Sequence, residues 1–127
     1  MKHPKLTLIA QGVAAMLLLM ASIGKFSGDP GSVEVFVSLG MEPTGRYLIA
    51  AIELVAALLL MSPLAALGSV IVVGVMCGAI IAHVTQLGLV VNDDGGMLVG
   101  MLAAVLLCSV YVLVSRRKEL PIVGNTL

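Results

Sequence analysis

Glu53 is the residue whose placement calls for chemistry. It sits in the run Ile49-Ala50-Ala51-Ile52-Glu53-Leu54-Val55, with apolar side chains on both sides. In a helix surrounded by lipid, a carboxylate near the bilayer centre costs about 2.5–3.5 kcal/mol on insertion scales, so it must face other helices or a wet cavity and find a partner. Arg46 lies two turns earlier on the same helical face, and Ala50 and Ala57 flank Glu53 on that face, where small side chains permit close helix approach. Two chemistries fit: a carboxylate that accepts protons or binds a cation, or a structural ion pair or protonated acid that locks helices together.

A second polar residue in apolar surroundings is His83, in Ala82-His83-Val84-Thr85-Gln86. Gln86 is one turn on. A histidine there can carry protons or hydrogen-bond a polar ligand head, or be held at an interface by a backbone carbonyl. Lys25 closes a stripe made of Gln11, Ala14, Ala15, Leu18 and Ser22, small and polar enough to face neighbouring helices. Lys25 can reach toward Glu53 or snorkel outward. His3, beside the N-terminus, has no such setting.

Helical rise tests which of these groups can meet. Counted from Pro63, Glu53 and His83 stand at heights of ~15 Å and ~30 Å, and Arg46 at ~25 Å. The expected picture is an outer-half cavity rimmed by Lys25, Arg46 and His83, with Glu53 as its floor. Gln86, Gln11 and Ser22 are lesser members of the same polar set.

These residues need long apolar elements to hold them. Of 127 residues, 60% are hydrophobic and 11% charged, with formal net charge zero. A soluble domain carries about a quarter charged residues, so lipid is the expected solvent for this chain. No basic field suggests nucleic acid. A bilayer-spanning helix needs about 20 mostly apolar residues. Four runs approach that length, at about residues 6–25, 46–62, 64–87 and 96–114. The second is short unless Arg46 snorkels. The first resembles a signal peptide after Lys2 and Lys5, but its apolar stretch exceeds the usual 7–15 residues and Ala21-Ser22-Ile23 is a poor cleavage site.

The expected fold is therefore all-α: one integral membrane domain, a four-helix antiparallel bundle. Ser62-Pro63 gives a tight hairpin turn, and Asn92-Asp93-Asp94-Gly95-Gly96 a polar one. Between helices one and two, Ser32 is expected to cap a short amphipathic helix with Val33, Phe36 and Val37 on one face, ended by Gly40. It would lie at the membrane interface; an ordered loop is the alternative. Tyr47 and Tyr111 are candidate interface anchors. Lys2 and Lys5 at one end and Arg116, Arg117 and Lys118 at the other place both termini in the cytoplasm of a cell (inner) membrane protein.

Other patterns are weaker. Gly74-x-x-x-Gly78 and Gly96-x-x-x-Gly100 suggest close packing within the bundle or a homo-oligomer. Cys77 and Cys108 lie at similar depths, but apolar surroundings and the lack of a CxxC pattern favour packing over redox chemistry. No metal spacing, phosphate loop or nucleophile–base arrangement is present in the sequence.

One ordered series of short motifs is familiar. Gly24-Lys25-Phe26 is followed by Phe36-Val37-Ser38-Leu39-Gly40, then Glu42-Pro43, Tyr47-Leu48, Glu53-Leu54 and Gly78-Ala79-Ile80-Ile81-Ala82-His83. This order resembles the DoxX-like family of small four-helix membrane proteins over nearly the whole chain. The resemblance implies a non-catalytic membrane subunit or accessory protein of a quinone-linked redox system, since the family takes its name from a small subunit linked to thiosulfate:quinone oxidoreductase. Other members are associated with redox enzymes or with assembly of membrane proteins. It implies no metal or haem, and it points to Lys25, Glu53 and His83, with Arg46 less clearly part of the pattern. A quinone or lipid is the expected ligand, and a redox enzyme or another membrane protein the expected partner. An assembly factor is the alternative function and a small transporter the third.

Overall fold

A computed structural model describes residues 3–90 and 94–127 of the chain. The described residues are all-α, without strands. Helix α1 runs Pro4–Ser27, α2 Pro30–Ser38, α3 Thr44–Leu60, α4 Ala65–Ala82 and α5 Met97–Arg116. A π-helical turn, His83–Leu87, extends α4, and short 3-10 turns, Arg117–Glu119 and Gly124–Thr126, follow α5. Three helical stretches, Pro4–Ser27, Ala65–Leu87 and Met97–Glu119, are long and apolar enough to cross a membrane. Helix α3 is apolar as well but has 17 residues.

Small residues set the packing. The expected stripe of α1 turns inward: Ala14, Leu18 and Ser22 are fully buried, as are Ala50, Ala56 and Ala57 of α3. Alanine faces let backbones approach closely, so polar side chains of one helix reach carbonyls of the next. Gln11 Nε2 donates to the Leu60 carbonyl at 2.5 Å, and Ser22 Oγ to that of Ala50 at 2.9 Å. Numbers rise along α1 as they fall along α3, so the two helices run antiparallel. Helix α1 also packs on α5, and α4 packs on both α3 and α5.

The α3–α4 hairpin turns as the Ser62-Pro63 pair predicts. Ser62 Oγ donates to the Leu59 carbonyl at 2.7 Å and accepts from the Leu64 amide at 3.0 Å, which satisfies backbone groups the helix ends leave open. Gly68 makes the hairpin tight. A Cβ there would sit 2.9 Å from Leu59 Cβ and 3.0 Å from the Leu60 nitrogen.

Several local expectations are corrected. The cap of α2 is Asp29, not Ser32: its carboxylate accepts from the Ser32 amide, and Pro30 occupies the first turn, where a fixed φ and a missing N–H cost nothing. Phe36 is buried but Val37 is exposed, so the apolar face is narrower than expected; Gly40, at φ 70°, does follow the helix end. Gly74, Gly78 and Gly100 are not close-packing positions within the chain, because an added Cβ at each meets nothing within 4 Å. Of the 92–96 turn, Asn92 and Asp93 lie outside the described residues, as does Lys2. The Asp94 carboxylate accepts from the Gly96 and Leu98 amides at 2.7 and 2.9 Å, capping the start of α5.

Candidate functional site

The carboxylate of Glu53 is met by Lys25. Lys25 Nζ lies 3.1 Å from both Oε1 and Oε2, reaching across from the last turn of α1 to the middle of α3. The Glu53 side chain is 5% exposed and that of Lys25 17%, so the pair is nearly removed from solvent. In low dielectric its two charges attract strongly, and each would be costly without the other.

This pair borders a cavity of about 560 Å³, within the range of small-molecule sites. Its walls are mainly apolar: Val35 and Phe36 of α2 and Leu39 just after it, Ile49 of α3, Gly74 to Ala82 in part along α4, and Leu98 and Leu102 of α5. Its polar groups are Lys25, Glu53, His83, Thr85 and Gln86. Thus the short helix α2 closes one end over the ion pair, and the π-helical turn brings His83 to the same space. Such turns insert one residue per hydrogen-bonded ring and re-aim side chains; here the Gly88 amide bonds to the His83 carbonyl at 2.7 Å.

His83 is 4% exposed, and its Nδ1 lies 3.1 Å from the Gly88 carbonyl. A carbonyl only accepts, so Nδ1 carries the proton and donates. In the uncharged ring Nε2 is then an acceptor. Among the described residues nothing donates to it.

Arg46 is placed differently from expectation. It does not line the cavity. Its Nε donates to both oxygens of Glu42, at 2.8 and 3.0 Å, one helical turn away. Its Nη1 donates to the Lys25 carbonyl, and its guanidinium carbon lies 4.4 Å from the centroid of the Tyr47 ring, which stacks in turn against Phe26. The nearby carboxylate of Glu42 outcompetes the more distant one of Glu53. Arg46 therefore ties the end of α1 to α3 and fixes the backbone from which Lys25 projects.

The lesser candidates divide. Gln86 lines the cavity. Ser22 is spent on the Ala50 carbonyl. Gln11 lies at the opposite end of α1, where its Oε1 accepts from Arg116 Nε at 2.8 Å; Arg116 also pairs with Glu119. The sequence reading missed Glu42, whose signal was its i,i+4 spacing to Arg46, and Arg116, whose partner is 105 residues away. Both cysteines are free, Cys77 on the exposed surface. Among the described residues, no group of three or more His, Cys, Asp or Glu side chains is arranged to hold a metal.

Apolar helices of spanning length and a partly polar cavity between them define a multi-pass membrane protein. Residues 9–114 match the DoxX-like family, and the chain belongs to it. No curated protein and no solved structure matches the chain.

Proposed function

We propose that this chain is an inner-membrane protein that crosses the bilayer four times, as one antiparallel bundle with both ends in the cytoplasm. In this reading it serves a quinone-linked redox system as a non-catalytic subunit that holds an amphiphile among its helices. The fourth crossing is α3. Its residues follow α1 in register from Leu60 beside Gln11 to Ala50 beside Ser22, so the two helices share one depth. Seventeen helical residues rise about 25 Å, close to the ~30 Å hydrocarbon core, and the Arg46–Glu42 pair at its start suits a headgroup level. Basic Lys2, Lys5, Arg116, Arg117 and Lys118 favour the cytoplasmic side for both termini.

The observation that carries the functional reading is the buried Lys25–Glu53 pair beside His83 in an apolar-walled cavity. A quinone-type ring, oxidised or reduced, fits this cavity in size. The ring and the first part of an isoprenoid tail suit the apolar walls, and Lys25 Nζ has a further N–H for an oxygen on the ring. When bound, the quinone would supply two-electron redox chemistry to a partner enzyme; this chain would bind and orient it.

The test is turnover of the co-purifying redox enzyme in native membranes. Glu53→Gln should reduce turnover. Because a lone buried Lys25 can destabilise the fold, the double change Lys25→Met with Glu53→Met is measured alongside at equal protein level, and it too should reduce turnover. Unchanged turnover in the double variant contradicts the reading.

A further inference from the structure

The wall of the cavity is incomplete on one side. Gly74, Gly78, Ile81 and Thr85 all border the cavity and are all exposed on the outer surface of α4 and its π-helical turn. Their spacing places them in one row along the helix. At Gly74 and Gly78 even an added Cβ would meet no atom within 4 Å. The gap faces sideways, where acyl chains surround a spanning helix. Small residues on a membrane helix usually mark close packing; these two pack against nothing in the chain and open a chamber instead.

Inside the gap lies His83, nine-tenths buried, with Nδ1 committed to the Gly88 carbonyl and Nε2 left to accept. The other charged groups of the chamber, Lys25 and Glu53, cancel each other. A charged head would bring uncompensated charge into low dielectric. A head offering only carbonyl oxygens would set a lone pair against that of Nε2 and leave it unsatisfied. A hydroxyl satisfies Nε2 by donating, and a second oxygen on the same head can accept from Lys25.

We propose that the cavity takes an uncharged, hydroxyl-headed amphiphile directly from the lipid phase, through the gap at Gly74 and Gly78, with the hydroxyl donating to His83 Nε2. This rests on the cavity being a ligand site, as argued above, and it specifies the head and the route of entry. A hydroquinone and a glycerolipid with a free hydroxyl share the required chemistry.

The experiment measures binding to the purified full chain in nanodiscs at about pH 8. Probes are 2-decyl-1,4-hydroquinone kept reduced, its oxidised quinone, 1,2-dioctanoylglycerol and oleate. Wild-type protein should bind the hydroquinone about tenfold more tightly than the quinone, the factor that one hydrogen bond of ~1.4 kcal/mol supplies. Gly78→Leu should slow association about tenfold or more for every probe that binds, with unchanged helicity and melting temperature, since the side chain fills the open gap. His83→Phe should abolish the preference for the reduced ring.

Equal binding of both ring forms overturns the head assignment while leaving a ligand site intact. An association rate unchanged in Gly78→Leu overturns the route. Tighter binding of oleate than of either ring probe overturns the uncharged head. Failure of all four probes overturns this inference and the site reading together. Dioctanoylglycerol binding as tightly as the hydroquinone supports the proposal and makes a glycerolipid the source of the hydroxyl.

Discussion

Lys25 Nζ lies 3.1 Å from both carboxylate oxygens of Glu53, joining the end of α1 to the middle of α3 inside an apolar frame. Removing one member strands the other. Lys25→Met or Glu53→Gln alone should destabilise the protein by on the order of 3 kcal/mol, whereas the double change to methionine should recover most of that loss. Reversible unfolding in mixed micelles, arranged as a double-mutant cycle, measures the coupling. Additive losses in the double variant would contradict a mutually dependent pair.

The pair was partly legible in the sequence. A carboxylate in an apolar run demands a partner, and the α1 stripe leaves Lys25 two outcomes, to reach toward Glu53 or to snorkel outward; the structure shows the first. Helical face and rise together point Arg46 to the cavity rim, while Glu42, four residues earlier, offers a shorter path to the same charge compensation. The bond from Arg116 to Gln11 spans 105 positions, and no local pattern announces it.

Arginine at position 46 does what lysine cannot. It donates from Nε to Glu42, from Nη1 to the Lys25 carbonyl, and lays its plane near the Tyr47 ring. Arg46→Lys should therefore cost about 1–2 kcal/mol despite keeping the charge. The same unfolding assay checks this, and a loss below the assay error would show that charge alone matters there.

Glycines separate by what lies beside them. Gly68→Val should cost about 1–3 kcal/mol, because the new Cβ would press on Leu59 and the Leu60 backbone. Gly100→Ala should be neutral or stabilising by up to ~1 kcal/mol, since nothing lies within 4 Å and alanine is the better helix former. Sequence spacing drew attention to Gly74-x-x-x-Gly78 and Gly96-x-x-x-Gly100 and passed over Gly68. The tight hairpin turn, rather than a small-residue repeat, sets where α3 and α4 touch. Paired melting temperatures of the two variants decide the matter.

Ser109 Oγ is fully buried and has no hydrogen-bond partner among the described residues. Removing an unsatisfied hydroxyl relieves its desolvation cost, so Ser109→Ala should leave stability unchanged or raise it by about 1 kcal/mol. A drop of similar size would reveal a partner for this hydroxyl in the membrane.

The central claim is that the chamber beside Lys25, Glu53 and His83 is a binding site open to lipid. Native mass spectrometry of the protein released gently from its own membranes tests it most directly. Wild-type chain should carry one small amphiphile that Gly78→Leu, at equal yield and stability, does not. A wild-type chain released bare, or identical bound species on both proteins, would contradict the claim.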